Sequence, residues 1–543
     1  MKENRKRTDK PHPVVAIPLW LYNLLVTYQQ YVFFFFLFMM AVCLPLSRFG
    51  LSFAQFGLLG IWIISGKLDK KFATFFRNPA AIVLVSFYLL HIIGLLYSSD
   101  MNYAMKDIRV KLPLLFLPVL FSSVDYIDRK WLDRLLKVFL AAVFISTSYS
   151  FYIYLTRVIS DFRDVSPLVS HIRLSLNVCF AFFIANWFLL KSARKNVWQL
   201  VLYLFASLWF LSALLMMESV LAIFIIFITY LGYGIYKLFK TKNRKLKIPV
   251  FLLLVLPVAA IVYLLVGSYN NYFTTKTRDF KNLDTHTPWG NSYVNDTTSS
   301  MVENGEFIYI YISFDELRDE WNKRSEVDFD SLDRKGQLLR GTLIRYMNSK
   351  GLRKDGSGFQ KLTENDIRNV EAGIANIEYA KKYSLKSRLY KLFWEYQAYQ
   401  RGSGPGGNTI LQRFEYWRVA VLIIQDHFWT GVGTGDVPDA FSQKYVEVDS
   451  PLPMELRFRS HNQYLSIAVA FGIFGLFWFL FSLIYPMIRQ RKYSDFIYVS
   501  FLITLLISML VEDTLETQMG VTLFAFFNAL LLFAPKTKVN ENL

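Results

Sequence analysis

The chain has 543 residues, 54% of them hydrophobic and 17% aromatic against 19% charged, with a formal net charge of +18. So much apolar surface exceeds what a water-soluble core holds, which excludes a soluble globular protein and sends the excess to lipid. With the basic N-terminus (Lys2, Arg5, Lys6, Arg7, Lys10) set in the cytoplasm, the positive charge falls on the cytoplasmic segments, as the positive-inside rule requires. No aromatic-interleaved basic patch is left over for nucleic acid.

From the N-terminus, basic residues run into a long apolar stretch without a small-residue cleavage site, which predicts an uncleaved first span. Apolar runs of membrane-spanning length follow at 80–97, 135–155, 197–217, 248–266 and 464–488, with shorter runs at 51–65, 112–122 and 520–533. The pattern predicts an all-α polytopic membrane protein of about twelve transmembrane helices. It predicts an N-terminal membrane domain of about nine spans at 1–267, a large, mostly helical extracytoplasmic segment at 268–461, and a C-terminal membrane domain of about three spans at 462–543. Both termini are then cytoplasmic. Within the long segment, 269–306 reads as loop, 307–314 as a strand, and 314–399 as amphipathic helices, from spacings such as Ile367, Val370, Ile374 and Ile377. Residues 401–408 (RGSGPGGN) read as a flexible linker and 430–435 (TGVGTG) as a plain turn, because the Lys-Ser/Thr of a P-loop is missing.

Ionisable residues at the outer membrane surface are the candidates for chemistry, since an intramembrane charge without a task is expensive. Arg173 opens an apolar run behind Ser170-His171-Ile172, where it either snorkels to headgroups or pairs with a phosphate. Glu218 lies in a tight turn between two spans. Arg413 and Trp417 share a helix face at i,i+4 spacing, with Arg418 beside them; alone this is compatible with a simple cation–π contact. His461 and Asn462 precede the span at 464, with Arg457 and Arg459 just upstream. A helix N-terminus there favours an anion such as phosphate; equally, Asn462 is the residue type that caps a helix. Glu512, Asp513 and Glu516 cluster at another outer turn; like Glu218 they could orient arginines or act as bases, while an ordinary solvated turn is the simpler reading of this group. Cys43 and Cys179 lie in separate spans, and neither they, the six scattered histidines nor the Asp328/Asp330 pair makes a metal or redox site.

From Arg413 to Tyr485 the chain reads RFEYWRVAVLIIQDHFWTGVGTGDVPDAFSQKY, a polar interval, then RSHNQYLSIAVAFGIFGLFWFLFSLIY. An Arg four residues before Trp, a Gly-x-Gly-x-Gly turn, and His-Asn-x-Tyr-Leu followed by Gly472, Gly475 and Leu476 together resemble the O-antigen ligase superfamily, which includes O-antigen polymerases and bacterial protein O-oligosaccharyltransferases. HIRLSLN at 171–177 is similar to the family's earlier arginine-bearing span, whereas Met217-Glu218-Ser219 stands where many relatives carry Ser-Arg.

The resemblance implies a GT-C-like fold in a bacterial inner membrane. It implies a metal-independent, cofactor-free, inverting glycosyltransferase that moves a glycan from undecaprenyl diphosphate to an acceptor hydroxyl, with membrane lipid around it. Lipid A-core is the first acceptor, and a growing glycan or a protein hydroxyl the alternative. It further implies catalytic roles for His461, Arg173 and Arg413, with Arg459, Arg418, Trp417, Asn462 and Glu218 in the binding set. His461 would be a general base or a diphosphate ligand. A transporter suits the span count but would place its charges at the bilayer midplane, and a receptor reading would leave these residues without a task.

Overall fold

The computed structural model describes residues 27–157, 162–192, 196–241, 244–275, 280–381, 384–402, 404 and 409–534. The basic N-terminus, the start of the first expected span, most of the 401–408 linker and the basic tail lie outside them.

The described chain is mostly helical. Among the described residues, seven helices are long and apolar enough to cross a membrane: Gln29–Leu46, Pro79–Tyr97, Arg129–Thr156, His171–Ser192, Val197–Met216, Val220–Lys240 and Gln463–Arg489. They become eight if Arg48–Ile64 and Leu68–Phe76, bent by 109°, form one broken span. About twelve were expected; the expected runs outside this set are three short ones and the run at 248–266. Pro113–Ser123, Phe496–Ser508 and Gln518–Phe533 have 11, 13 and 16 residues, below the roughly 20 of a full crossing. The run at 248–266 lies in the 30-residue helix Arg244–Phe273. The 109° bend follows from Gly66 and Lys67, both left-handed (φ 68° and 55°), and the next span starts where Asn78 caps and Pro79 takes the first helical turn.

Two compact units result. One comprises the described residues up to Tyr230, Tyr416–Ser450, and those from Arg457 onward; the other is Leu231–Glu415 with Pro451–Leu456.

In the first, membrane unit, Gln463–Arg489 is kinked at Gly472 (φ 63°), where a Cβ would lie 2.3 Å from the Trp429 carbonyl group, so only glycine admits the approach. The TGVGTG turn docks on that kink. Val432 and Gly433 donate their N–H groups to the Val469 and Ala470 carbonyls, both at 2.9 Å, and Ile473 N donates to Phe428 O at 2.8 Å. The kink thus frees helix carbonyls that the turn satisfies.

The second unit has amphipathic helices Phe314–Arg324, Leu339–Ser349, Glu364–Glu371 and Leu385–Gln400 within the expected 314–399 stretch; the spacing read through Ile374 and Ile377 is corrected, since the helix bearing Ile367 and Val370 ends at Glu371, before left-handed Gly373. Leu317, Trp321, Leu343, Met347 and Phe359 make its buried core. The expected strand at 307–314 is corrected. The strands are Val302–Glu303 and Glu306–Phe307, joined by Asn304-Gly305 with both residues left-handed, the pairing a tight hairpin turn requires. Tyr311, at φ 56°, breaks the extended run, and Ile312 makes only isolated bridges to Val294 and Lys354.

Candidate active site

Arg173 lies in the first turn of His171–Ser192 and is 7% exposed. The helix start is held by His171, whose Nε2 donates to the Met217 carbonyl at 2.8 Å. That bond ties it to the turn carrying half-buried Glu218, itself left-handed at φ 48°. Arg173 Nη2 donates to the Asp513 carbonyl at 3.3 Å, while its buried Nη1 has no hydrogen-bond partner among the described residues. A buried guanidinium with an unused donor is costly unless an anion completes it. That donor belongs to a side chain lining a cavity of about 260 Å³ with Arg48, Ser170, Thr517 and Gln518.

Asp513 links Arg173 to the histidine. Its carboxylate accepts from Ser466 Oγ at 2.7 Å, and Ser466 Oγ is 2.8 Å from Ser460 Oγ, next to His461. Burial and the neighbouring Glu516 raise the Asp513 carboxyl above its ordinary value, with Arg459, Ser466 and His461 pulling the other way. His461 itself is left-handed (φ 47°), a strained conformation for this residue, and its ring lies 5.6 Å from Tyr416 and 6.1 Å from Phe458 between centroids. Trp417 Nε1 donates to the Ser460 carbonyl at 3.0 Å, so the Trp of the Arg-x-x-x-Trp motif holds the histidine turn. Asn462 is the helix cap, its side-chain oxygen accepting from Tyr464 N and Leu465 N at 3.0 and 3.2 Å.

Arg459, expected on the substrate's phosphate, is bound by protein groups. Its Nη1 is 2.8 Å from Tyr103 Oη and 3.3 Å from Glu516 Oε2. Glu516 Oε2 also meets Lys111 Nζ at 3.0 Å, Lys111 meets Asp107 at 2.5 Å, and Glu516 Oε1 accepts from Gln463 Nε2 at 3.0 Å. Burial alone would raise the Glu516 carboxyl, but Lys111 and Arg459 outweigh it and hold it well below the usual carboxylate range. Asp107 goes the other way: burial, opposed by Lys111 and aided by Glu516, pushes it up to about 6. The solvated-turn reading of Asp513 and Glu516 is therefore corrected. The turn folds inward because Gln463 clamps it, Leu515 N donating to Gln463 Oε1 at 2.6 Å.

Arg173, Glu218, Trp417, Arg459, His461 and Asn462 all belong to the membrane unit, as does exposed Arg418. Arg413, half-buried on Thr409–Asp426, falls in the other unit, whose boundary crosses that helix after Glu415. Sequence reading missed Tyr103, Asp107, Lys111 and Gln463. The i,i+4 Asp107/Lys111 pair just before Pro113 was the available signal.

Residues 375–480 match the family model described as O-antigen ligase. Over that stretch the chain is similar to the O-antigen ligase family. The matched stretch contains Arg413, Trp417, Arg418, Arg459, His461 and Asn462; Arg173, Glu218, Lys111 and Glu516 lie outside it. The apolar helices make it a membrane protein. A comparison with curated proteins returns no match.

Proposed function

We propose that the protein transfers a glycan from undecaprenyl diphosphate to an acceptor hydroxyl at the periplasmic face of the inner membrane, with lipid A-core as the acceptor. The observation that carries this reading is Arg173: a buried guanidinium with one nitrogen unpartnered among the described residues, lining a cavity in a chain similar over residues 375–480 to the O-antigen ligase family.

In the proposed reaction the acceptor oxygen bonds to the anomeric carbon on the face opposite the diphosphate. The glycosidic C–O bond breaks, its electron pair leaves with undecaprenyl diphosphate, and the anomeric configuration inverts. His461 takes the hydroxyl proton, a task suited to an imidazole. Arg173 neutralises charge on the departing diphosphate, since a charge-assisted hydrogen bond from a buried guanidinium is strong; Arg413 is proposed as a catalytic arginine on the resemblance alone. Arg459 and Asn462 act one step back, holding the turn that bears His461. The charge needed to expel the diphosphate is supplied in this scheme by arginine, without metal.

Cells lacking the protein, complemented with the intact chain or with His461→Ala, test this when lipopolysaccharide length and glycoproteins are scored together. Accumulation of bare lipid A-core with polymer left on undecaprenyl diphosphate is expected. Core bearing a single repeat would indicate a polymerase instead, lost glycoproteins with unchanged lipopolysaccharide a protein glycosyltransferase, and no change in either would point to transport.

A further inference from the structure

The cavity beside Arg173 is lined by a second arginine that the sequence reading passed over. Arg48 opens the helix Arg48–Ile64, is exposed, and shares with Arg173 the cavity of about 260 Å³ whose other polar walls include Thr517 and Gln518. Gln518 also lines a second cavity, of about 560 Å³, walled mainly by apolar side chains that include Phe56, Leu59, Trp62, Phe116 and Val119. Three of those five stand on the same helix as Arg48. At 1.5 Å per residue, the helix carries the wall about 21 Å from Arg48 to Trp62.

Two hydrogen bonds hold this wall against the C-terminal helix Gln518–Phe533. Gln518 Nε2 donates to Ser52 Oγ at 2.6 Å, and Gln55 Nε2 donates to Thr522 Oγ1 at 2.5 Å, one turn further along. Gln55 and Gln518, the donors of these bonds, also line the second cavity, so Arg48 is presented by a braced element.

From this arrangement we infer that the polar cavity and the apolar trough are one lipid site: a polyprenyl diphosphate places its diphosphate between Arg48 and Arg173 and lays its isoprenoid chain along the Arg48–Ile64 helix, passing Gln518. The inference rests on the glycosyl-transfer reading and deepens it by naming where the donor lies. Charge complementarity selects the occupant. A diphosphate brings enough negative charge and oxygen acceptors for two guanidiniums, one of which already has an unused buried donor, whereas a phospholipid phosphodiester brings a single negative charge. The trough supplies shape more than driving force, because bilayer lipid is as apolar as its walls. Arg48 is on this view a substrate-binding residue, and Gln518 a positioning residue at the junction.

The test uses the purified full-length protein in detergent and measures binding of undecaprenyl diphosphate, undecaprenyl monophosphate, phosphatidylglycerol and inorganic pyrophosphate. Arg48→Gln is expected to weaken undecaprenyl diphosphate about tenfold or more, to affect the monophosphate less, and to be partly rescued by Arg48→Lys. In transfer assays it should raise KM for the donor while leaving kcat within about threefold. Leu59→Trp, which fills the trough, should weaken undecaprenyl diphosphate while sparing a short-chain prenyl diphosphate. Equal binding of all lipids to Arg48→Gln and the intact protein would overturn the inference, as would phosphatidylglycerol competing as well as undecaprenyl diphosphate. If Arg173→Ala loses binding while Arg48→Gln keeps it, the site is wrong and the reaction stands; if the intact protein binds no polyprenyl diphosphate, the reaction falls with it.

Discussion

Arg345 in the second unit, its side chain 13% exposed, and Arg173 in the membrane unit are both largely buried guanidiniums, but their surroundings differ. Arg345 makes a two-pronged pair with Glu303, Nε to Oε2 and Nη2 to Oε1, each at 3.0 Å. Asn376 Nδ2 donates to Glu303 Oε1 at 2.8 Å, and Trp394 covers the guanidinium at 3.3 Å from its ring centroid. Arg173 has a carbonyl on one nitrogen and no partner among the described residues on the other. A buried charge whose neighbours answer both its charge and its geometry holds a fold together, while one left with an open donor is poised for something that arrives. Degree of satisfaction, not burial, separates the two roles.

Substitution at the two arginines should therefore fail in different ways, and this is the largest effect expected. Arg345→Ala leaves the Glu303 carboxylate buried without its cation, a loss of about 3–5 kcal/mol. Protein levels in the membrane and resistance to proteolysis of the 231–415 unit should fall. Arg173→Ala should leave both unchanged and reduce transfer about 10²- to 10³-fold. A well-accumulated Arg345→Ala, or an Arg173→Ala with full transfer, breaks the contrast. A further refinement removes both partners: Glu303→Leu with Arg345→Leu should recover much of the accumulation lost by either single change, because no lone charge stays buried.

The Lys111–Glu516–Arg459 cluster gives a third, intermediate case, with charges satisfied and the histidine turn resting on them. Glu516→Gln is expected to destabilise the membrane unit by about 3 kcal/mol near neutral pH and to weaken transfer by letting the His461 turn relax. The carboxyl of Glu516 titrates lower in the folded protein than in the unfolded chain. Its contribution is thus complete above the unfolded value of about 4.3 and is lost as pH falls through the folded one. Melting curves in detergent should show a wide gap between intact and Glu516→Gln protein at pH 7 that does not begin to close until pH drops below about 4. A gap that is constant or widens on acidification would show that the pairing of Glu516 is not what stabilises the turn.

How far these contrasts were legible beforehand depends on the distance over which each is encoded. Spans such as Arg129–Thr156 and Gln463–Arg489 follow from run length and composition, which are local, and so do the amphipathic helices around Trp321 and Ile367. Arg173 and His461 stood out because a charged or titratable residue at the end of an apolar run is rare. Lys111 and Glu516, 405 residues apart, and Arg173 and Asp513, 340 apart, meet only because helices pack, and no local spacing announces the pairing. Arg459 shows no partner in the sequence for the same reason: Glu516, with which it pairs, is remote in the chain. Arg48 and Gln518 flank apolar runs as ordinary interfacial residues do, so only the shared cavities single them out.

Asp107 offers the smallest and finest test, since it is the one member of the cluster whose charge the fold resists. Burial and Glu516 push its carboxyl up to about 6 despite the salt bridge to Lys111. A raised folded value means the folded state prefers the neutral acid. The stability associated with that form is complete below the unfolded pKa of about 3.9 and is lost as pH rises through 6. Asp107→Asn makes the side chain permanently neutral and leaves Lys111 its partner Glu516. Relative to the intact protein it should be unchanged near pH 4 and slightly more stable at pH 8, by roughly 2 °C in the melting midpoint. The opposite trend, a variant that loses ground as pH rises, would mean that the ionised Asp107 is needed beside Lys111, and that the cluster balances four charges instead of three.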